Sequence, residues 1–125
     1  MMKTNSIFLI EDDSSILEAI QMVLEAYDYG ATTASNGREA LKQLHEMEIK
    51  PQLILLDLMM PEMNGFEFLK AKSEDSSIKD IPVLVFSANS HFESKIKHEG
   101  NVVEFLKKPV DIDELLDAVG RVVKA

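Results

Sequence analysis

Five polar side chains follow the short apolar runs of the sequence. They comprise three carboxylates, one hydroxyl and one ammonium group: Asp12, Asp13, Asp57, Ser87 and Lys108. Carboxylates brought together repel one another unless a cation lies among them, and all-oxygen donors favour a hard ion such as Mg²⁺. That cation and a lysine would neutralise the oxygens of an incoming phosphoryl group. An aspartate carboxylate is already anionic at neutral pH, so one of these aspartates could act as the nucleophile, and the product would be an aspartyl phosphate.

These side chains can meet only if the apolar runs before them form neighbouring strands. Four runs are continuous but too short for a core helix, which favours strands buried on both faces. Those runs are Ile7–Ile10, Leu53–Leu56, Pro82–Phe86 and Val102–Leu106, with Gly30–Ala34 as a weaker candidate.

Helical segments separate these strands, because apolar residues recur there at spacings of three and four. The first begins near Ser15, which forms a capping-box pattern with Glu18. The others are Arg38–Met47, Phe66–Ser73, the more polar His91–Glu99, and a last helix capped by Asp111. Strands alternating with helices predict right-handed crossovers and a mostly parallel sheet covered on both faces. In such sheets, functional groups gather outside the carboxyl ends of the strands, so the five polar side chains should converge there.

The composition is that of a single acidic domain without disulfides. The 125 residues carry 13 Lys plus Arg and 22 Asp plus Glu, a formal net charge of −9. We therefore expect one domain over 1–125, with its core from about 7 to 123. The acidic balance argues against direct binding of nucleic acids or anionic membranes. The lack of cysteine excludes disulfides and thiolate metal sites and fits a cytoplasmic location, and the N-terminus shows no secretory or membrane-spanning segment.

Each candidate residue also has a structural interpretation. Asp12 or Asp13 could cap the first helix, and Asp57 could end a strand in an ordinary turn. Ser87 could be a structural hydroxyl, and Lys108 a solvated lysine. The joint placement of these residues at four strand ends favours a functional site.

Four motifs, in order, resemble the receiver domain of bacterial two-component response regulators, in the layout of the stand-alone chemotaxis receiver. The resemblance extends from about Ile7 to Val123. The motifs are Ile10-Glu11-Asp12-Asp13, Leu55-Leu56-Asp57-Leu58-Met59-Met60-Pro61-Glu62-Met63-Asn64-Gly65, Phe86-Ser87-Ala88 and Lys107-Lys108-Pro109. It implies a flavodoxin-like, doubly wound (βα)5 fold with strand order 2-1-3-4-5 and five helices, and no output domain within the chain.

The resemblance also implies a phosphoryl-transfer site. Asp57 would accept a phosphoryl group from a sensor histidine kinase or a phosphotransfer protein. Asp13, Asp57 and the backbone carbonyl of Met59 would bind Mg²⁺, or Mn²⁺, directly, and Asp12 would act mainly through bound water. Lys108 would hold the phosphoryl group.

The resemblance also implies how phosphorylation would change the surface that a partner contacts. The Lys108–Pro109 peptide bond would be cis, Ser87 would move toward the phosphoryl group, and Phe105 would follow as the switch aromatic. The face made by the fourth helix, fifth strand and fifth helix would contact a downstream effector or a missing output domain. Gly100 precedes Phe105 by five residues where four is usual, which predicts altered geometry on this face.

Two other functions compete with a phospho-accepting switch. A phosphatase using an aspartyl phosphate would need a second Asp two residues after the nucleophile, and Met59 stands there. We therefore expect no turnover of an external substrate. A degenerate receiver acting as a phosphorylation-independent scaffold is the second alternative, and the retained acidic, hydroxyl and lysine residues argue against it.

Overall fold

The sheet and its helices follow the alternation seen in the sequence. The computed structural model describes residues 6–60, 63–88, 96 and 101–123. The elements are β1 (Ser6–Ile10), α1 (Ser14–Ala26), β2 (Gly30–Ala34), α2 (Gly37–Glu46), β3 (Leu53–Asp57), α3 (Gly65–Ser73), β4 (Val83–Ser87), β5 (Val102–Lys107) and α4 (Ile112–Val122). The five strands are parallel and lie in the order β2-β1-β3-β4-β5, which confirms the predicted fold class and topology.

The central strands β3 and β4 are apolar at every position except the last because helices cover both faces of the sheet. All five residues of β3 and of β4 are buried. Alternate side chains enter two cores, one against α2 and α3 and the other against α1 and α4. The predicted central strand Leu53–Leu56 is therefore confirmed.

The described residues hold four of the five predicted helices in full. The predicted fourth helix, His91–Glu99, lies outside the described residues except for Ile96, which is helical and buried in the α2/α3 core. The predicted fifth helix is α4 in the present numbering. None of the helices in the described part of the chain has the length and apolarity that a membrane span requires.

The start of β5 is irregular, as the spacing of Gly100 and Phe105 predicts: Val83 pairs with Val102, but Leu84 pairs with Glu104, so the register shifts by one residue. Asn101 has φ 62, the left-handed conformation that usually favours glycine, and it stands four residues before Phe105. Its side chain donates to the Asp80 carbonyl over 2.9 Å, and its own carbonyl accepts from Val83 N–H over 3.0 Å. A left-handed residue thus stands four positions before Phe105, but it is asparagine, and the register shift lies between it and Phe105.

We predict that Gly65→Ala destabilises the fold, because the loop after Asp57 leaves no room for a Cβ atom. A Cβ at Gly65 would lie 2.6 Å from Leu58 Cα and 3.2 Å from the Asp57 carbonyl oxygen, and backbone atoms cannot move away cheaply. We expect a loss of about 1–3 kcal/mol in the free energy of unfolding, measured by urea denaturation.

Gly120→Ala is the matched control. Gly120 lies within α4, and a Cβ there would meet nothing within 4 Å. This change should raise stability by about 0.5–1 kcal/mol, since alanine favours the helix. Equal effects of the two substitutions would contradict the steric argument.

Candidate functional site

The carboxyl ends of β1, β3, β4 and β5 meet at one edge of the sheet. The parallel register places Ile10 beside Leu56, Asp57 beside Phe86, and Ser87 beside Lys107. Residues that end these strands, or directly follow them, therefore share this edge. This register explains why the polar side chains that follow the strands lie at one edge of the sheet.

Asp57 and Lys108 form the centre of the site. Asp57 is buried at the end of β3, and Lys108 Nζ lies 3.2 Å from its Oδ2 atom. The other oxygen, Oδ1, accepts a hydrogen bond from the backbone N–H of Met59 over 3.2 Å. The Lys108–Pro109 bond is cis, in agreement with the expectation from the motif.

Glu11 is a site residue that the sequence reasoning missed. It directly follows β1 and is 1% exposed, and its Oε1 atom lies 3.2 Å from Lys108 Nζ. Its Oε2 atom accepts a hydrogen bond from the backbone N–H of Asp13 over 3.1 Å. Lys108 is thus held between two buried carboxylates.

The acidic cluster contains Glu11 in place of Asp13. One carboxylate oxygen from each of Glu11, Asp12 and Asp57 lies within 4.8 Å of the others, close enough to share one metal ion. The three offer hard oxygen donors, and Asp12 is open to water, so the set fits a partly hydrated Mg²⁺. This cluster differs from the predicted set of Asp12, Asp13 and Asp57 by one position, so the ligands of the metal stay a prediction.

Asp13 instead caps α1. Its Oδ1 atom accepts hydrogen bonds from the backbone N–H groups of Ser15 and Ile16, over 2.9 and 3.2 Å. The helix consequently starts at Ser14, and the predicted capping box of Ser15 and Glu18 was wrong. The signal that could have found Glu11 is the end of β1 at Ile10, because the next two residues lie nearest the sheet edge.

Ser87 and Phe105 lie on the same side of the sheet. Ser87 is buried at the end of β4, and its carbonyl accepts from Lys108 N–H over 2.9 Å. Phe105 pairs with Val85, which shares a strand face with Ser87 because side chains alternate along a strand. The half-buried Phe105 packs against the α2/α3 core. The two predicted switch residues are therefore diagonal neighbours.

Burial and charge shift two pKa values in the site. Burial, aided by the neighbouring Asp57, raises the pKa of Glu11 from 4.5 to about 7. Burial alone would lower the pKa of Lys108, but the charges of Asp57 and Glu11 outweigh it, so this pKa is raised. Lys108 therefore keeps its positive charge at neutral pH, and a second positive charge near Glu11 would favour its ionised form.

A doubly wound sheet with buried carboxylates and a lysine at its carboxyl edge defines a class of phosphoryl-accepting domain. The family profile described as the response regulator receiver domain matches residues 7–120. The chain belongs to the response regulator receiver domain family, whose members are phospho-accepting regulators of two-component systems.

Curated relatives are identical to this chain at about a third of the aligned positions. It is 32% identical over 114 residues, 90% of its length, to the DNA-binding dual master transcriptional regulator RpaA of Synechocystis sp. and covers 46% of that protein. It is 31% identical over 119 residues, 94% of its length, to the phosphate regulon transcriptional regulatory protein PhoB of Escherichia coli and covers 51% of it. The chain spans about half the length of these relatives.

Solved structures share the fold over nearly the whole chain. Chemotaxis protein CheY4 of Vibrio cholerae superposes with a TM-score of 0.84 at 29% identity, with 94% of this chain and 98% of that chain covered. The phosphorylated cyanobacterial phytochrome response regulator RcpA gives a TM-score of 0.78 at 28% identity, covering 94% of this chain and 90% of that chain.

Substitution of Asp12 and of Asp13 should have different effects, because Asp12 lies in the acidic cluster and Asp13 caps α1. Asp12→Ala should weaken Mg²⁺ binding by about tenfold or more, because a carboxylate donor is lost. Asp13→Ala should keep most of the affinity but lose about 1 kcal/mol of stability, because α1 loses its cap. Isothermal titration calorimetry and urea unfolding measure the two quantities. Loss of Mg²⁺ binding in Asp13→Ala, with binding retained in Asp12→Ala, would restore the original ligand assignment.

We predict that the stability of the metal-free protein depends on pH through Glu11. The folded state holds the Glu11 proton up to about pH 7, whereas the unfolded chain releases it near 4.5. The folded state then binds more protons in this window, so stability falls as pH rises through it, by on the order of 2 kcal/mol. Glu11→Gln should flatten this part of the profile, measured by unfolding in a chelating buffer. Glu18→Gln, at an exposed position on α1, is the control, and equal slopes in both variants would contradict the assignment.

Proposed function

We propose that this chain is a phospho-accepting switch in which Asp57 takes a phosphoryl group from a sensor histidine kinase or a phosphotransfer protein. The observation that carries the proposal is the buried Asp57 carboxylate, 3.2 Å from the Lys108 ammonium and within one acidic cluster with Glu11 and Asp12. Membership of the receiver domain family supports the same function.

Phosphoryl transfer to Asp57 is a direct displacement at phosphorus. A carboxylate oxygen of Asp57 forms the new P–O bond as the P–N bond of a phosphohistidine donor breaks. The electron pair of that bond leaves with the imidazole nitrogen, which takes a proton from solvent. A carboxylate nucleophile needs no general base to activate it.

Lys108 supplies a fixed positive charge for this step. In the unmodified protein its ammonium bonds to Asp57 and Glu11. An ammonium group has three N–H donors, so it can turn toward a phosphoryl oxygen while it keeps its bond to Glu11. Lys108 thus stabilises the carboxylate before transfer and the phosphoryl group afterwards.

A divalent cation would complete the charge balance. Glu11, Asp12, Asp57 and the backbone carbonyl of Met59 would hold Mg²⁺, or Mn²⁺ in its place. When bound, the cation would supply positive charge to the phosphoryl oxygens. Asp57 and Lys108 would still provide the nucleophile and the lysine contact.

Ser87 and Phe105 would transmit the change. The Ser87 hydroxyl lies at the end of the strand beside β3, where it would donate to the new phosphoryl group. Phe105, its diagonal neighbour on β5, would then move inward and alter the face formed by the predicted fourth helix, β5 and α4. A downstream effector, or an output domain outside this sequence, would read that face. The chain would work in the cytoplasm, as a single receiver domain over 1–125.

The site does not favour turnover of external phosphate esters. Met59, two residues after Asp57, is 59% exposed and carries a thioether, which cannot act as an acid or a base. A hydrolase using an aspartyl phosphate needs such a group to protonate its leaving alcohol. The proposed activity is therefore limited to the protein's own phosphorylation and dephosphorylation.

The experiment is to incubate the protein with Mg²⁺ and phosphoramidate and to weigh the intact chain. The wild type should gain one phosphoryl group, and Asp57→Asn should gain none, because its amide is not nucleophilic. Asp111→Asn, which changes the cap of α4, is the matched control and should react like the wild type. Lys108→Gln should react about 100-fold more slowly, in line with removal of one charge contact from a transition state.

The proposal fails if the wild type gains no phosphoryl group. It also fails if Asp57→Asn gains the group as readily as the wild type. Continuous release of phosphate from unrelated esters would instead favour an enzyme.

A further inference from the structure

The ring of Phe86 lies beneath the Lys108 ammonium. The Nζ atom is 5.3 Å from the ring centroid, within the range of a cation–π contact. Phe86 is fully buried, and the Lys108 side chain is 22% exposed, so water screens the contact only in part.

We propose that Phe86 is a positioning residue for phosphoryl transfer, which holds the Lys108 ammonium over the reacting edge of Asp57. The inference rests on the proposed function of Asp57 and Lys108. It adds a third contact, an aromatic face, to the two carboxylates that hold the ammonium.

The backbone fixes the position of the ring. Phe86 pairs with Asp57 on one side and with Leu106 on the other, so the ring lies between the nucleophile strand and the strand that leads to Lys108. Its side chain packs in the α1/α4 core with Leu9 and Leu115. A ring buried this way cannot follow the lysine and acts as a fixed support.

A fixed support matters because a lysine side chain is flexible. It carries about 2 kcal/mol of rotamer entropy, which is lost when the ammonium is held in one place. Phosphorylation of Asp57 replaces a carboxylate oxygen as the partner of Lys108, so the ammonium must shift. The negative face of a ring attracts a cation over a broad area, so Phe86 can hold the ammonium before and after this shift.

The competing interpretation is that Phe86 only fills the core. Fluorination of the ring distinguishes the two, because it withdraws π-electron density and changes the ring volume little. We would place phenylalanine with one, two or three ring fluorines at position 86 by site-specific incorporation. The same series at Phe68 is the control, since Phe68 is also fully buried but packs in the core on the α2/α3 side.

The readouts are the rate of phosphorylation by phosphoramidate at saturating Mg²⁺ and the free energy of unfolding. At position 86 the rate should fall stepwise with each fluorine, to about threefold to tenfold below wild type, with stability unchanged. At position 68 the rate should stay constant. This combination would support the proposal, since a packing role does not depend on π-electron density.

Three results would overturn the proposal. The first is a phosphorylation rate at Asp57 that does not change with fluorination at position 86. It would exclude the role of Phe86 and leave the proposed function intact. An equal decline in both series points to a general effect of fluorination. A wild type that gains no phosphoryl group overturns the proposed function and this inference together, so the two failures are distinguishable.

Discussion

The charge of Lys108 is the constraint on which the site depends. Its ammonium lies 3.2 Å from Glu11 and 3.2 Å from Asp57, two carboxylates that are almost completely buried. Buried carboxylates repel one another and lose their hydration, so a positive charge must lie between them if both are to ionise. The raised pKa of Glu11 shows that Lys108 offsets this cost only in part. The cluster therefore has excess negative charge, which a divalent cation would neutralise. The bound cation would in turn attract the oxygens of a phosphoryl group.

The order of the strands brings these charges together. β3 lies between β1 and β4, and β4 lies between β3 and β5, so acids from the first half of the chain face a lysine from its end. The start of α1 determines which of the three acids after β1 belong to the cluster and which one caps the helix. Glu11 and Asp12 point to the cluster, whereas Asp13 is the cap. One short turn thus begins a helix and supplies two carboxylates.

The fold and the general position of the site could be predicted because each depends on a long pattern. Leu53–Leu56 is continuously apolar because helices cover both faces of β3, and parallel strands bring their carboxyl ends to one edge. The position of Glu11 beside Asp57 was missed although the predicted strand ends at Ile10, because aspartate suits both a cap and a metal site, and the role of Asp13 depends on where the helix starts. The turn before β5 was also missed, since asparagine adopts the left-handed conformation less often than glycine but does so at Asn101.

The link between Lys108 and Glu11 spans 97 residues of sequence. During synthesis the acids and β3 would leave the ribosome well before the lysine, so an unfinished chain would present carboxylates without their counter-charge. An incomplete or misfolded chain would then lack the arrangement of charges that defines the site. The long-range ion pair thus ties the assembly of the site to the folding of the whole sheet.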